Sequence, residues 1–230
     1  MNWLQGNDGL WQCQAVKILS NGIAVLDGDS HISRWVEEEG RLDHDQNALP
    51  IILGYIKDGD VVVDAGAFIG DHTIAYTKAV GKTGRVMAFE PNPSAYECLV
   101  HNCPEAMALN LGLSDRSGEL KMAIDVNAGA SHVGDGGQLI NVVALDSMPF
   151  QRLNFIKMDV EGMELRALLG AKKTIEAHRP IMWIEINVGA LKRQGVVPAQ
   201  IFDVLHGMGY EFEPYPDEGG MQYDILCVAK

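Results

Sequence analysis

Acidic side chains end three strand-like apolar runs of this 230-residue chain. Asp64 ends VVVD and precedes a turn that contains Gly66 and Gly70, Glu90 ends RVMAFE, and Asp159 ends LNFIKMD. When strands are parallel, their carboxyl ends meet at one edge of the sheet, and ligands bind at that edge. We therefore expect the three carboxylates to face one site.

The turn over residues 64–70 favours a ligand that carries both a ribose and a positive charge. Gly66 and Gly70 allow the backbone to bend and a ligand to approach closely, and the following helix start offers free N–H groups. The spacing is not G-x-G-x-x-G, and Asp64 would repel a pyrophosphate. Glu90 lies near the position of a ribose-binding acid, which is expected roughly 20 residues beyond such a turn. This combination points to S-adenosylmethionine, although nicotinamide-dependent enzymes share the same order of strand, turn and helix.

Polar side chains around Asp159 could act on the reacting groups. Asp159 would face the methyl group or the methionine ammonium of that ligand. Glu161 is either a general base for the acceptor or an acid in the first turn of a helix, and Glu164 is interpreted as such a helix-start acid. Asp159, Glu185 and Asn187 could supply hard oxygen ligands to a divalent cation, although we do not expect a metal here.

Two of the seven histidines are candidate bases. His72 follows the glycine turn, and His132 lies in the glycine-rich segment NAGASHVGDGG at 127–137, so the two could reach the cleft from opposite sides. The alternative for each is an exposed loop residue. The remaining histidines lie at surface or helix positions, and we predict no role for them: His31, His44, His101, His178 and His206.

Strand-like and helix-like segments alternate from residue 46 onward. The helices are predicted at 46–59, 70–80, 94–102, 161–177 and from about Pro198, and the strands at 61–66, 85–90, 106–112, 153–159 and 181–187. Such alternation implies right-handed crossovers and a parallel sheet. We therefore predict an α/β fold with a Rossmann-like, doubly wound and mostly parallel sheet.

Other segments depart from this alternation. Residues 1–45 contain short β-like runs separated by Asn-Gly and Asp-Gly, which predicts a small N-terminal β-rich addition. The runs 111–115 and 118–124 predict a hairpin, and 210–229 predict a C-terminal antiparallel hairpin at the sheet edge. The glycine-rich segment is predicted to be a mobile loop or lid. We therefore divide the chain into an extension over 1–45, which could form part of the acceptor site, and a main domain over 46–230.

Composition argues against several classes of function. The formal charge of −13, without a long cationic cluster, argues against a nucleic-acid partner. No basic and apolar leader and no apolar run of about 18 residues are present, which predicts a cytoplasmic protein with no membrane partner. The four cysteines form no C-x-x-C pair and are expected to be free thiols.

Several stretches resemble successive blocks of the FkbM family of S-adenosylmethionine-dependent methyltransferases. These stretches are VVVDAGAFIGDHT, VMAFEPNP, LNLGLSD and IKMDVEGMELRALLGA followed by RPIMWIEIN. The resemblance implies a class I methyltransferase fold with S-adenosylmethionine as methyl donor. O-methylation of sugars or natural-product hydroxyls is common in the family, so we expect a small-molecule or glycan acceptor.

The resemblance also implies roles for individual residues. Glu90 would hold the ribose. The methionine part would be lined by Asp64, Gly66, Ala67 and Gly70, the adenosine pocket would be shaped by Pro91 and Asn92, and the adenine would rest at Gly112, Leu113 and Ser114. The extension and the glycine-rich segment lie outside the resembling blocks.

Three functional hypotheses remain open at this point. The first is an active methyltransferase that modifies a hydroxyl of a small molecule, sugar or natural product. The second is a nicotinamide-dependent Rossmann oxidoreductase. The strand–turn–helix order and the position of Glu90 favour it, and the absence of G-x-G-x-x-G argues against it. The third is a non-catalytic scaffold that binds S-adenosylmethionine, although the intact glycine turn and Glu90 argue against a decayed pocket.

Overall fold

A seven-stranded sheet forms the centre of the chain. The computed structural model describes residues 4–5, 11–12, 15–134, 136–215 and 220–230. Within these residues the strands are β1 (Leu4–Gln5), β2 (Trp11–Gln12), β3 (Val16–Ile18), β4 (Ala24–Leu26), β5 (Val61–Ala65), β6 (Arg85–Phe89), β7 (Met107–Leu109), β8 (Gly112–Leu113), β9 (Gly118–Ala123), β10 (His132–Val133), β11 (Gln138–Val143), β12 (Phe155–Met158), β13 (Ile181–Asn187), β14 (Tyr210–Tyr215) and β15 (Gln222–Ala229). The helices are α1 (Ile32–Glu39), α2 (Ala48–Leu53), α3 (Thr73–Val80), α4 (Pro93–Asn102), α5 (Glu164–Gly170), α6 (Lys172–His178), α7 (Val188–Arg193) and α8 (Pro198–Gly207).

The strand order of the central sheet is β14-β15-β13-β12-β5-β6-β7. Strands β13, β12, β5, β6 and β7 pair in parallel, whereas β15 is antiparallel to both of its neighbours. The predicted doubly wound sheet and its C-terminal antiparallel hairpin are therefore confirmed. Residues 216–219, between β14 and β15 in the chain, lie outside the described residues.

Alternate residues of the central strands pack into two different cores. Val62 of β5 and Trp183 of β13 join the core formed with α2 and α3, while Val63 and Ile184 join the core formed with α5, α6 and α8. Apolar side chains on both faces explain why these strands read as continuous hydrophobic runs, as expected for a parallel sheet covered on both sides. Among the described residues, no helix is both long enough and apolar enough to cross a bilayer.

Three predicted elements differ from the structure. The runs 111–115 and 118–124 do not form a hairpin, because β11 lies between β8 and β9 and pairs in parallel with the first and antiparallel with the second. The helix predicted at 161–177 begins only at Glu164 and is interrupted at Ala171, where the backbone leaves the helical region. The helix predicted at 46–59 is only the six-residue α2.

The N-terminal addition contains helix α1 besides its short strands. Its apolar residues Val25 and Val36 pack into one core with Ile69 of the glycine turn and Cys98 of α4. The side chain of Asn102 strengthens this joint, because its amide donates to the carbonyls of both Ala24 and Ile69, at 2.9 and 2.8 Å. The addition is thereby fixed against the loop that follows β5.

The glycine-rich segment also contains regular structure. It includes a 3-10 turn at Ala128–Ala130 and strand β10, which pairs with β9 in a four-stranded second sheet. The buried carboxylate of Asp29 accepts from the N–H groups of Ser33 at 2.7 Å and Ala128 at 2.9 Å. Asp29 therefore joins the N-terminal addition to the glycine-rich segment, of which residue 135 lies outside the described residues. Mobility of this segment stays a prediction.

Three of the cysteines are buried free thiols: Cys98, Cys103 and Cys227. Burial raises the pKa of each thiol well above its usual value, which is the expected state of a cysteine that serves only in packing. The expectation of free thiols is confirmed for these three, and Cys13 lies outside the described residues.

Candidate active site

A cavity of about 570 Å³ opens at the carboxyl edge of the central sheet. It is lined by residues that follow β5, β6, β12 and β13, by the second sheet, and by His31 and His44 of the N-terminal addition. Cavities of roughly 300–1,000 Å³ with a few convergent polar groups are typical of small-molecule sites. Of the three strand-end carboxylates predicted to face one site, Glu90 and Asp159 line this cavity, whereas Asp64 does not.

The glycine turn requires glycine at position 66. Gly66 has a φ of 81°, and a Cβ there would lie 1.7 Å from the carbonyl oxygen of Asp159. The turn after β5 therefore lies so close to the turn after β12 that a side chain at position 66 would collide with it, and only glycine fits there. Gly70, with a φ of 94°, is instead surrounded by Cys103 and Leu99, so its small size serves the packing of α4.

Glu90 is a buried carboxylate that lines the cavity and orders the loops around it. Its Oε2 accepts from the N–H of Phe68 at 2.9 Å, and its Oε1 accepts from the N–H of Asn92 at 2.7 Å. Burial raises the pKa of Glu90 to about 7, although the two backbone hydrogen bonds act in the opposite direction. A ribose at this position would meet an acceptor that is already oriented by the glycine turn and by the start of α4.

Asp64 lies beneath the glycine turn and does not line the cavity. Its Oδ2 accepts from the hydroxyl of Thr73 at 2.6 Å, while its Oδ1 is buried without a hydrogen-bond partner. In register it lies opposite Lys157 of β12. Burial raises the pKa of Asp64, with Lys157 and Thr73 opposing the rise. Asp64 is therefore separated from the cavity by the glycine turn in this structure, and its contact with a ligand stays a prediction.

Three carboxylates cluster at the ends of β12 and β13. One oxygen from each of Asp159, Glu161 and Glu185 lies within 4.8 Å of the other two. Glu161 has a left-handed φ of 51° and lines the cavity. Because helix α5 begins only at Glu164, Glu161 is not the first-turn acid considered from the sequence. Glu164 is that acid, because it accepts from the N–H groups of Val160 and Gly162, both at 3.1 Å.

The cluster holds fewer negative charges than its composition suggests. Burial and the charge of Asp159 raise the pKa of Glu161 to about 8 and that of Glu185 well above its usual range. Burial opposes ionisation of Asp159 too, but the ammonium of Lys157, 3.0 Å away, outweighs it and lowers the pKa of Asp159. At neutral pH, Asp159 is therefore the ionised member, because neighbouring carboxylates cannot all ionise together.

These three carboxylates are also the set that could hold a divalent cation. Such an ion would have to compete with Lys157 for Asp159. Asn187, which the sequence placed in this set, is committed elsewhere, because its side-chain oxygen accepts from the N–H of Ala190 at 3.0 Å and caps α7. Glu161 takes its place beside Asp159 and Glu185.

His72 lines the cavity, but both of its ring nitrogens have partners. Its Nε2 lies 3.5 Å from Oδ2 of Asp45, and its Nδ1 lies 3.2 Å from the hydroxyl of Tyr76. Burial opposes protonation, but the bond to Asp45 and the charge of Asp71 outweigh it and raise the pKa of His72. His72 therefore has no free lone pair for an acceptor proton in this arrangement, although the sequence suggested it as a base.

The remaining predicted residues divide between the cavity wall and the layer behind it. The wall includes Gly66, Glu90, Pro91, Gly112, Leu113, His132, Asp159 and Glu161. The layer behind it includes Asp64, Ala67, Gly70, Asn92 and Ser114, none of which lines the cavity. Ligand contacts of all these residues stay predictions. Leu113, Ile140 and Val142 add an apolar surface to the same cavity as Glu90.

Several cavity residues were not expected from the sequence. Lys157, His44 and Asp45 line the cavity, as do Asp71 and Arg193. For Lys157 a signal existed, because residues two apart in a strand share a face, and a lysine in the apolar run before Asp159 is a candidate partner for it. His44 and Asp45 lie in an irregular segment, where sequence spacing does not indicate which residues meet.

The chain matches the family model described as Methyltransferase FkbM domain over residues 64–212. Among solved structures, it is similar to a methyltransferase FkbM from Methylobacillus flagellatus KT, at 20% identity and a TM-score of 0.54, covering 75% of this chain but only 44% of that one. It is also similar to a TehB-like SAM-dependent methyltransferase from Corynebacterium glutamicum, at 15% identity and a TM-score of 0.51, covering 88% and 97% of the two chains.

A third similar structure is a precorrin-6y C5,15-methyltransferase from Geobacter metallireducens, at 16% identity and a TM-score of 0.50, covering 82% of this chain and 90% of that one. No curated protein matches the sequence. The central sheet, with its antiparallel β15, and the cavity at its carboxyl edge define the class I methyltransferase fold. The chain belongs to the FkbM methyltransferase family.

Proposed function

We propose that the protein uses S-adenosylmethionine to methylate a hydroxyl oxygen of a small molecule or sugar. The observation that carries this proposal is the single cavity in which Glu90 and the carboxylate cluster of Asp159, Glu161 and Glu185 lie at the carboxyl edge of one sheet. Glu90 would accept from the ribose hydroxyls. The cluster would face the methyl-bearing end, where Asp159 supplies a negative charge near a sulfonium.

The electrostatics of the cavity support a neutral or cationic acceptor. Carboxylates on its wall include Asp45, Asp71 and Asp159, whereas Lys157 and Arg193 are the cations of its described wall. Lys157 is already paired with Asp159, and Arg193 lies 3.8 Å from Glu161. A phosphorylated acceptor or a nucleic acid would meet net repulsion here, whereas sugar hydroxyls can donate to the free carboxylate oxygens.

Bound S-adenosylmethionine would supply an electrophilic methyl group with a thioether as leaving group. The protein has to align the acceptor hydroxyl with that methyl, keep bulk water out, and receive the hydroxyl proton. The walls formed by the second sheet and by the N-terminal addition suit the first two tasks. Asp159 and its neighbours suit the positioning of the acceptor.

Calorimetric titration with S-adenosylmethionine, S-adenosylhomocysteine and NAD in parallel tests the proposal. We expect binding of the two adenosyl ligands and none of NAD. Binding of NAD alone would favour a nicotinamide-dependent oxidoreductase, and binding of neither class would reject the proposal. Binding of S-adenosylmethionine without release of S-adenosylhomocysteine across a broad panel of acceptors would favour the non-catalytic scaffold.

A further inference from the structure

His44 is held over the glycine turn by the residue that follows it. Asp45 accepts from the N–H groups of Asn47 at 3.1 Å and Ala48 at 2.9 Å, and it pairs with His72 directly after the glycine turn. Although burial opposes ionisation, the bonds from His72 and Ala48 lower the pKa of Asp45 to about 2. Asp45 is therefore ionised at neutral pH, and its contacts tie the residue next to His44 to the start of α3.

The ring of His44 lines the cavity and is held by aromatic contacts alone. It packs edge-on against His31, with ring centroids 5.2 Å apart, and against Trp35 at 5.1 Å. Neither ring nitrogen has a hydrogen-bond partner among the residues that the structure describes, whereas both nitrogens of His72 are engaged. His44 therefore offers a lone pair to whatever occupies the cavity beside it.

The surroundings of His44 favour its neutral form. The charged and titratable groups that act on it are Asp71, His31, Asp45 and His72, which come from the glycine-turn loop, the start of α1 and its own segment. Burial is the largest influence, and together with the two histidines it outweighs the two carboxylates and lowers the pKa of His44. A neutral imidazole at pH 7 can accept a proton, as a base must.

His132 is the competing candidate in the same cavity. Its Nδ1 lies 3.3 Å from the carbonyl oxygen of Ala130, which leaves Nε2 available. It stands on β10, however, whose neighbour Val133 packs against the apolar cluster of Met122 and Ile140. His44 instead lies among the groups next to the glycine turn, which in this fold lies near the methionine part of the donor.

We propose that His44 is the base that receives the proton of the acceptor hydroxyl, and this inference rests on the proposed function. In that step the acceptor oxygen forms a bond to the methyl carbon while the carbon–sulfur bond breaks, and its electron pair stays on sulfur. The hydroxyl proton passes to a ring nitrogen of His44 and then to solvent. The family match begins at residue 64, so this base comes from a segment outside it.

The test compares His44→Gln with His132→Gln, and with His206→Gln as a matched control on the exposed end of α8. Release of S-adenosylhomocysteine is measured against pH with the neutral sugars methyl α-D-glucoside, methyl α-L-rhamnoside and methyl α-D-galactoside as acceptors. A positioned base contributes about 10²–10⁴-fold to rate, so we expect His44→Gln to lower kcat about 100-fold or more and to remove the acidic limb of the pH profile. Its affinity for S-adenosylmethionine should stay within about twofold.

A second measurement follows the ring itself by NMR titration of protein labelled with ¹⁵N-histidine, with His44→Gln assigning the signal. We expect a midpoint below the ordinary 6.5. A midpoint above 7, or a loss of the acidic limb in His132→Gln and not in His44→Gln, would overturn the inference while leaving the proposed function intact. No release of S-adenosylhomocysteine by the unaltered protein with any acceptor would count against the proposed function, and therefore against the inference as well.

Discussion

Substitution of Glu90 separates the structural role of this carboxylate from its role in binding. Glu90 accepts two backbone hydrogen bonds, from Phe68 and Asn92, and both donors are buried around it. Glutamine keeps one acceptor oxygen and loses the other, whereas alanine loses both. A buried donor left without a partner costs about 1–3 kcal/mol, so near pH 4, where Glu90 is protonated and carries no buried charge, Glu90→Gln should lower the free energy of unfolding by about that amount and Glu90→Ala by about twice as much.

The expected loss in affinity for S-adenosylmethionine is of similar size. A hydrogen bond to a charged group contributes about 1.5–3 kcal/mol, so Glu90→Ala should weaken binding by about 10- to 150-fold. Calorimetry at pH 8 is the appropriate assay, because the pKa of Glu90 is about 7 and the carboxylate is ionised above it. For the unaltered protein, affinity should therefore rise between pH 6 and pH 8.

Glu97→Gln is the control, since Glu97 lies exposed on the adjacent helix α4. It should change neither the free energy of unfolding nor the affinity. If Glu90→Gln and Glu90→Ala remain folded at the temperature of the assay and bind S-adenosylmethionine as the unaltered protein does, Glu90 does not contact the ribose. In that case its only role is to hold the glycine turn against α4.

Further expectations concern the neighbouring positions. Gly66→Ala should lower the free energy of unfolding by at least about 2 kcal/mol in urea titrations, because its Cβ would collide with the Asp159 carbonyl. Gly118→Ala, where the space is open, should lower it far less. Equal losses in the two variants would reject the close approach of the two turns. Asp159→Asn should lower turnover more than affinity for S-adenosylmethionine, and equal losses would make Asp159 a ligand of the donor. The free energy of unfolding should fall as pH rises from about 4.5 to 8, because Glu90 and Glu161, with pKa values of about 7 and 8, retain protons in the folded chain that the unfolded chain has released. Glu161→Gln should therefore raise the free energy of unfolding by about 1 kcal/mol at pH 8 and leave it unchanged near pH 4, and a flat difference across pH would contradict the buried charge.

The central sheet could be predicted from the sequence because its signals are local. Runs such as VVVD and LNFIKMD combine β-branched or apolar residues with a terminal acid, and each strand is followed by a helix-like segment. The edge that carries Glu90 and Asp159 follows from the parallel arrangement alone. The insertion of β11 between β8 and β9 could not be predicted, because that pairing depends on which distant apolar face each short strand covers.

The site could be predicted only where its residues belong to regular elements. Glu90, Asp159 and Gly66 occupy strand ends, so their positions in the sheet determine their positions in the cavity. His44 reaches the cavity through the tertiary packing of an irregular segment. That packing depends on the contact between Asp45 and His72, which lie 27 positions apart in the sequence. Sequence spacing also did not indicate that the ring nitrogens of His72 pair with Tyr76 and Asp45, or that the side chain of Asn187 caps α7.

The bond from Asp29 to Ala128 has a consequence for the engineering of acceptor choice. The N-terminal addition and the glycine-rich segment both contribute to the cavity wall, and they are joined by this hydrogen bond and by the packing of Ala128 against the core of the addition. A chimera that takes only the addition from a relative would leave the N–H of Ala128 buried without its acceptor, and one that takes only the glycine-rich segment would place a foreign backbone against Asp29. The two segments are therefore best exchanged as a single cassette.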